Sequence, residues 1–139
     1  MKDAREEILK KLYTLLNGTI TVNGLSIPYY TDGFGNDEYG IYKQSYLGNE
    51  ADSKHHFGEV ANIELVCFAR GKSEDFVAEI SRKVRGILKA SVSGTIELDN
   101  GLQATYTRVN SIDCATNEFE GATEHRDIIR LELRIDEKI

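Results

Sequence analysis

The sequence predicts an α+β fold, an antiparallel β-sheet with two helices packed on one of its faces. Three observations lead to this prediction: two amphipathic helical patterns, several segments that alternate apolar and polar residues, and an element order in which helices and strands do not alternate regularly. The chain has 139 residues, of which 40% are apolar and 29% are charged. This length and composition are typical of a single globular domain, spanning residues 1–139.

The N-terminal segment predicts a helix followed by a β-hairpin. Isoleucine and leucine recur at helical spacing from Ile8 to Leu16, and Asp3 stands where a capping residue is needed. We expect Asn17-Gly18 to end the helix, because glycine readily takes the left-handed conformation found at helix ends. Two short strand-like segments then flank Asn23-Gly24, a dipeptide that favours a two-residue hairpin turn.

The middle of the chain, residues 31–59, predicts a long loop that is rich in tyrosine and glycine. It contains five glycines, and its two basic and six acidic residues give a charge of −4. Aromatic and β-branched residues between Tyr39 and Tyr46 favour a strand inside this loop. Loops of this length are usually functional, or they become ordered on a partner.

Beyond this loop the pattern predicts a strand, a second helix and three more strands. Alternation from Val60 to Ala69 gives a strand with one apolar face. The second helix follows Ser73, its expected N-cap, and carries an apolar stripe from Phe76 to Leu88. The last strands are expected over residues 95–98, over 102–109 with an end left open as far as 114, and over 127–136, with an acidic connector over 115–126.

Charge and composition exclude several classes of protein. The net charge is −6, and each half of the chain carries −3, which argues against sequence-independent binding to nucleic acid. The two cysteines are 47 positions apart without a CxxC motif, so neither a disulfide framework nor a zinc finger is indicated. No apolar run approaches the roughly 18 residues of a membrane span, and the first residues do not form a secretory signal. We therefore expect a protein made in the cytoplasm that does not bind a membrane.

No pattern predicts a catalytic, cofactor-binding or metal-binding residue. His55-His56 would point to opposite sides of an extended chain, so solvated histidines are favoured over a metal site, with a pH-sensitive contact as the third alternative. The acidic segment 32–38 lacks the patterns of an EF-hand and of a P-loop. Cys67 is expected in the core, and Asp113 disfavours a reactive thiolate at Cys114.

Two segments of the chain carry a family resemblance. The strand-turn-helix unit reads ANIELVCFARGKS over residues 61–73 and VAEISRKVRGIL over residues 77–88, and a closing strand follows. With the leucine-rich first helix, this order resembles the tail-completion or tail-terminator proteins of tailed bacteriophages over residues 4–16 and 60–136. The resemblance implies a non-enzymatic virion protein, made in the bacterial host, that forms a ring of six or more copies at the tail end or the head–tail junction.

Such a ring would stop tube growth and dock other tail or neck proteins while DNA passes through its bore without specific binding. One alternative is a portal-proximal connector or adaptor ring of the phage neck. The alternative from another class is a small ligand-binding or hydrolytic domain that uses the acidic loop.

A head-to-tail ring needs two different contact patches on each subunit. We expect one patch on the long loop and the other on the outward face of the last strand. The tyrosines of the loop could equally cover the domain's own core, and the strand face could be solvated. The candidate interface residues are Asp32, Phe34, Asp37, Tyr39, Tyr42, Tyr46, Lys54, Arg130, Glu132 and Arg134.

Overall fold

The computed structural model describes residues 4–31, 38–50, 58–90, 95–97, 102–119 and 122–137. These residues form two helices and eight strands, so the predicted α+β class is confirmed. In chain order the elements are α1 (Ala4–Leu16), β1 (Ile20–Val22), β2 (Leu25–Ile27), β3 (Tyr29–Tyr30), β4 (Tyr39–Glu50), β5 (Gly58–Arg70), α2 (Glu74–Ala90), β6 (Thr95–Glu97), β7 (Leu102–Phe119) and β8 (Ala122–Glu137).

The strands form a small hairpin and one large sheet. Strands β1 and β2 pair antiparallel, and the larger sheet has the order β3-β4-β5-β8-β7-β6. Every neighbouring pair in the large sheet is antiparallel except β3–β4, which is parallel. The sheet is therefore mainly antiparallel, as predicted. Strands β7 and β8, which follow each other closely in the chain, pair in opposite directions, as expected for a short connection.

The predicted turns at the N-terminal end are present. Gly18 follows the end of α1 with a φ of +72°, as expected for a left-handed helix end. In the β1–β2 turn both Asn23 and Gly24 have positive φ, at 51° and 79°. Positive φ at both central residues matches the right-handed twist of the flanking strands, which is why Asn-Gly was expected there.

Helix α2 begins at its predicted cap. The hydroxyl of Ser73 accepts a hydrogen bond from the Phe76 amide at 3.3 Å, and Glu74 and Asp75 lie in the first turn. Acidic side chains there offset the partial positive charge of the helix N-terminus. Gly71, with a φ of +65°, makes the turn from β5 into the helix.

Both helices pack on one face of the large sheet, which we call the helix-covered face. Alternate residues of β5 and β8 provide the sheet side of this core, and the apolar stripes of α1 and α2 provide the other side. Buried residues of this core include Leu12, Leu16, Ile80, Val84, Leu88, Ile63, Leu65, Ile129, Leu131 and Ile135. The opposite side of the sheet carries Glu64, Phe68 and Arg130, and no helix of the described residues lies over it; it is called the helix-free face below.

Two segments predicted as loops contain more strand than expected. Within the segment 31–59, predicted as a long loop, the described residues 39–50 form strand β4, which is longer than the strand expected up to Tyr46. Within the predicted connector 115–126, β7 continues to Phe119 and β8 begins at Ala122. In both places cross-strand pairing stabilises extended backbone that the local sequence marks only weakly. Residues 32–37 and 51–57 lie outside the described part of the chain.

Candidate interaction surfaces

Strand β4 is covered by β3 along only part of its outer side. Strand β3 pairs with β4 at Ile41 and Tyr42. From residue 43 onward, the pairing of β4 within the described chain is with β5 alone. A bulge interrupts that pairing between Lys43 and Ser45, and the register is regular from Ser45 to Glu50. We call Ser45–Glu50 the β4 edge segment; its Leu47 side chain is 66% exposed.

Strand β7, on the other side of the sheet, is also only partly covered. Strand β6 pairs with it at residues 103–105, and beyond these the pairing of β7 within the described chain is with β8 alone. Bulges interrupt the β7–β8 register between Tyr106 and Arg108 and between Ser111 and Asp113. The regular stretch between these two bulges, Arg108–Ser111, is called the β7 edge segment.

Each edge segment presents strand backbone at a side of the sheet. Natural sheets usually shield such backbone, because it can pair with a strand of another chain. The bulges and the short strands β3 and β6 shield the two edges in part. The two segments between these features are therefore candidate sites for strand addition.

The three residues of the last strand that were predicted as an interface lie on the helix-free face. Arg130 Nη2 is 3.1 Å from Glu64 Oε2, and the Ser45 hydroxyl donates to Glu64 Oε1 at 3.0 Å. The hydrogen bonds from Arg130 and Ser45 lower the pKa of Glu64. Glu132 and Arg134 follow at alternate positions of the same strand. This part of the face is polar, and Glu64 of β5 links it to Arg130 of β8 and Ser45 of β4.

The three described tyrosines of the predicted loop all contact other aromatic or charged side chains. Tyr39 packs edge-on against Phe76 of α2, with ring centroids 5.8 Å apart, and Tyr42 packs against Phe68 at 5.7 Å. The guanidinium of Arg5 lies over the Tyr46 ring, 5.4 Å from its centroid. These contacts place the three rings against the domain itself. Asp32, Phe34, Asp37 and Lys54 lie outside the described residues.

Sequence reasoning missed a buried ion-pair cluster on the helix-free face. Glu124, only 1% exposed, accepts a hydrogen bond from Arg70 Nε at 2.7 Å and another from Arg126 Nε. Burial by itself raises the pKa of Glu124, but the hydrogen bonds and charges of the two arginines outweigh it, so the pKa is lowered. The cluster joins the end of β5 to the start of β8 across 54 positions of sequence.

A small cleft lies between α2 and the β7–β8 pair. Cys114, Thr116 and His125 line it together with Val77 and Ala78, and its volume is about 90 Å³. His125 Nδ1 and the Thr116 hydroxyl are 3.1 Å apart. Sites for small molecules are usually several times larger, at about 300–1,000 Å³. A more open groove of about 320 Å³ lies between the β1–β2 hairpin and α2.

The cysteines lie as follows. Cys67 is buried on the helix-covered face, as predicted. Its burial is the main cause that raises the pKa of its thiol, and the negative charge of Asp127 is a smaller one. Cys114 is exposed on β7.

In the described part of the chain, His, Cys, Asp and Glu side chains form no group of three or more that could hold a metal ion. Among the same residues, no helix is long and apolar enough to cross a membrane.

Comparison with known proteins gives a similarity to solved structures but not to a known sequence family. No protein-family model matches the chain. No curated protein matches its sequence. A chain in the solved structure of the virion of a native gene transfer agent particle is similar, with a TM-score of 0.49 and 12% identity over 95% of this chain and 86% of that chain. A likeness at this TM-score and identity does not bear on function.

Proposed function

We propose that this chain is a structural subunit of a tailed-phage particle, and that it assembles into a ring at the tail end or the head–tail junction. The ring, a hexamer or larger, would end tube growth and dock neighbouring virion proteins while DNA passes through its bore. Two lines support the proposal: the resemblance of residues 4–16 and 60–136 to tail-completion proteins, and the two edge segments of the sheet.

The edge segments are the observation that carries the proposal. A ring forms when one patch of a subunit binds a different patch of its neighbour, and repetition of that contact closes by rotation. The β4 and β7 edge segments are different in sequence and lie on opposite sides of one sheet. They therefore meet the requirement for head-to-tail association.

The backbone of Gly48 offers a specific test of the β4 edge. The Ile41 amide donates away from β5, to the Pro28 carbonyl at 3.0 Å, so Ile41 and Cys67 form a non-hydrogen-bonded pair. Such pairs alternate with hydrogen-bonded pairs along an antiparallel ladder. Along β5, every second residue from Cys67 to Ala61 therefore belongs to a non-hydrogen-bonded pair with β4. Gly48 lies opposite Ala61, so these two residues form such a pair. The Gly48 amide therefore points away from β5, toward the side of β4 on which no described strand pairs with it.

The experiment compares the wild-type chain with Gly48→Pro and Gly48→Ala by native mass spectrometry and electron microscopy. We expect the wild type to form a discrete ring. Gly48→Pro should abolish it, because proline removes the outward amide while the inward hydrogen bonds to β5 are unaffected. Gly48→Ala keeps the amide and should keep the ring.

Cooperative thermal unfolding of all three proteins provides the control for folding. A wild-type chain that stays monomeric at every concentration tested would contradict the proposal. A Gly48→Pro variant that forms the wild-type ring would exclude the β4 edge as the contact.

A further inference from the structure

We infer that the sheet continues from one subunit to the next, with the β4 edge segment of one copy lying antiparallel beside the β7 edge segment of its neighbour. This inference rests on the proposed function, since it names the contact through which the ring would form. It commits to a second copy of this chain as the partner.

The two edge segments lie at the same level of the sheet. Leu47 is opposite Asn62, which is opposite Glu132, which is opposite Arg108. Ser45 belongs to the adjacent row of the helix-free face, which ends at Asn110 on β7. A neighbour placed beside the sheet at the same height therefore brings the β7 edge segment directly to the β4 edge segment.

The strand directions are also compatible. Strand β4 is antiparallel to β5, β5 to β8, and β8 to β7, so β4 and β7 run in opposite directions. A head-to-tail neighbour keeps the orientation of the first subunit, so its β7 would run antiparallel to the first subunit's β4. Antiparallel pairing is the more stable arrangement per residue, and it needs no change in either strand.

The shielding of the two edges fits this placement. Strand β3 covers β4 at residues 41 and 42, and β6 covers β7 at residues 103–105, which lie toward opposite ends of the sheet. Among the described residues, the stretch between these two levels is left for pairing on both sides. It contains the β7 edge segment and residues 45–48 of the β4 edge segment. A neighbouring strand would also cover part of Leu47, which is 66% exposed in the single chain.

Disulfide cross-linking tests the contact directly. In a Cys114→Ser background, Leu47→Cys is combined with either Arg108→Cys or Asn110→Cys, two successive positions on the helix-free face of β7. Three strand spacings separate β4 from β7 within one chain, about 14 Å. Because a disulfide needs Cα atoms within about 7 Å, any bond formed must join two chains. Cys67 is retained, since it is fully buried.

We expect one of the two double variants to give, under oxidation, a ladder of linked species that extends to the copy number of the ring. The matched control combines Leu47→Cys with Val109→Cys, because Val109 is buried in the core on the helix-covered face. That control should give no ladder. Cross-linking is measured on non-reducing gels, and the copy number is measured on the same samples by native mass spectrometry.

The outcomes separate this inference from the proposed function. A ring without a ladder in either double variant would overturn the edge pairing and leave the proposed function standing. Leu47→Cys alone should give no dimer at the oxidation time at which a double variant gives its ladder; a dimer formed as fast as that ladder would indicate a two-fold contact between two β4 strands and would overturn the pairing. Absence of any oligomer in the uncross-linked wild type would overturn the proposed function, and the inference with it.

Discussion

The two faces of the large sheet are buried in different ways. On the helix-covered face, alternate residues of β5 and β8 are apolar and buried along most of their length. On the helix-free face, burial is concentrated toward the end where β3 lies: Val66 and Phe68 are fully buried there, and so is Glu124. Toward the other end of that face, Leu47 and Arg130 are exposed.

This difference separates two kinds of structural information. The helix-covered face is specified by repeating patterns along the chain. In a strand every second residue must be apolar, and in a helix every third or fourth residue must be apolar. Burial on the helix-free face depends on which strands become neighbours, since Phe68 is covered by Tyr30 and Tyr42 from two other strands. Substitutions on the two faces test this comparison.

The largest effect is expected for Phe68→Ala. The Phe68 side chain is fully buried among aromatic rings although no helix lies over it in the described chain, so its removal should leave a cavity. We expect the free energy of unfolding to fall by about 3–5 kcal/mol, close to the loss of about 2–5 kcal/mol expected for Leu65→Ala on the other face. Urea unfolding followed by circular dichroism measures both. A loss under about 1 kcal/mol for Phe68→Ala would show that this end of the helix-free face is not a packed core.

An intermediate effect is expected for Glu124→Gln. The neutral side chain leaves Arg70 and Arg126 without their shared carboxylate. We expect the free energy of unfolding to fall by about 3 kcal/mol at pH 7. This value is near the lower end of the range for buried ion pairs, because Arg126 is partly exposed. The folded pKa of Glu124 lies below its unfolded value, so this stabilisation is present above the unfolded pKa of about 4.3 and is lost as pH falls through the folded pKa.

The pH series provides the control for that prediction. Wild type and Glu124→Gln are unfolded with urea at several values between pH 7 and pH 3, and the difference between their stabilities should shrink toward the acid end. A difference that stays constant over this range would mean that the charge of the Glu124 carboxylate is not the source of the stabilisation.

Most of the fold could be predicted because its elements carry local patterns. The stripe from Phe76 to Leu88, the Asn23-Gly24 turn and the alternation along β5 each identify an element without reference to the rest of the chain. The full lengths of β4 and β7 could not be predicted, because glycine and polar residues there are held in strands by their neighbours. Tertiary pairing overrides weak strand propensity in such places.

The candidate surfaces could be predicted only in part. The outward positions of Arg130, Glu132 and Arg134 follow from alternation along the last strand. The partner of Arg130 is Glu64, 66 positions away, and no local pattern reveals such a pair. The two edge segments are likewise properties of the strand order, since a strand is an edge only when the order of all the strands is known.

The smallest effect is expected for Arg130→Ala. The ion pair between Arg130 and Glu64 lies on the exposed part of the helix-free face, where the Arg130 side chain is 49% exposed and water screens the charges. We expect the free energy of unfolding of the isolated chain to fall by about 0–1 kcal/mol, and the loss should shrink further in 1 M salt. The measurement is urea unfolding at low and high salt, with Arg82→Ala, a surface arginine paired within α2, as the matched control. The contradicting result is a loss of stability that is well above that of the control and does not depend on salt. It would show that the ion pair of Arg130 is as important for stability as the buried cluster around Glu124. The two ends of the helix-free face would then not differ in the way described.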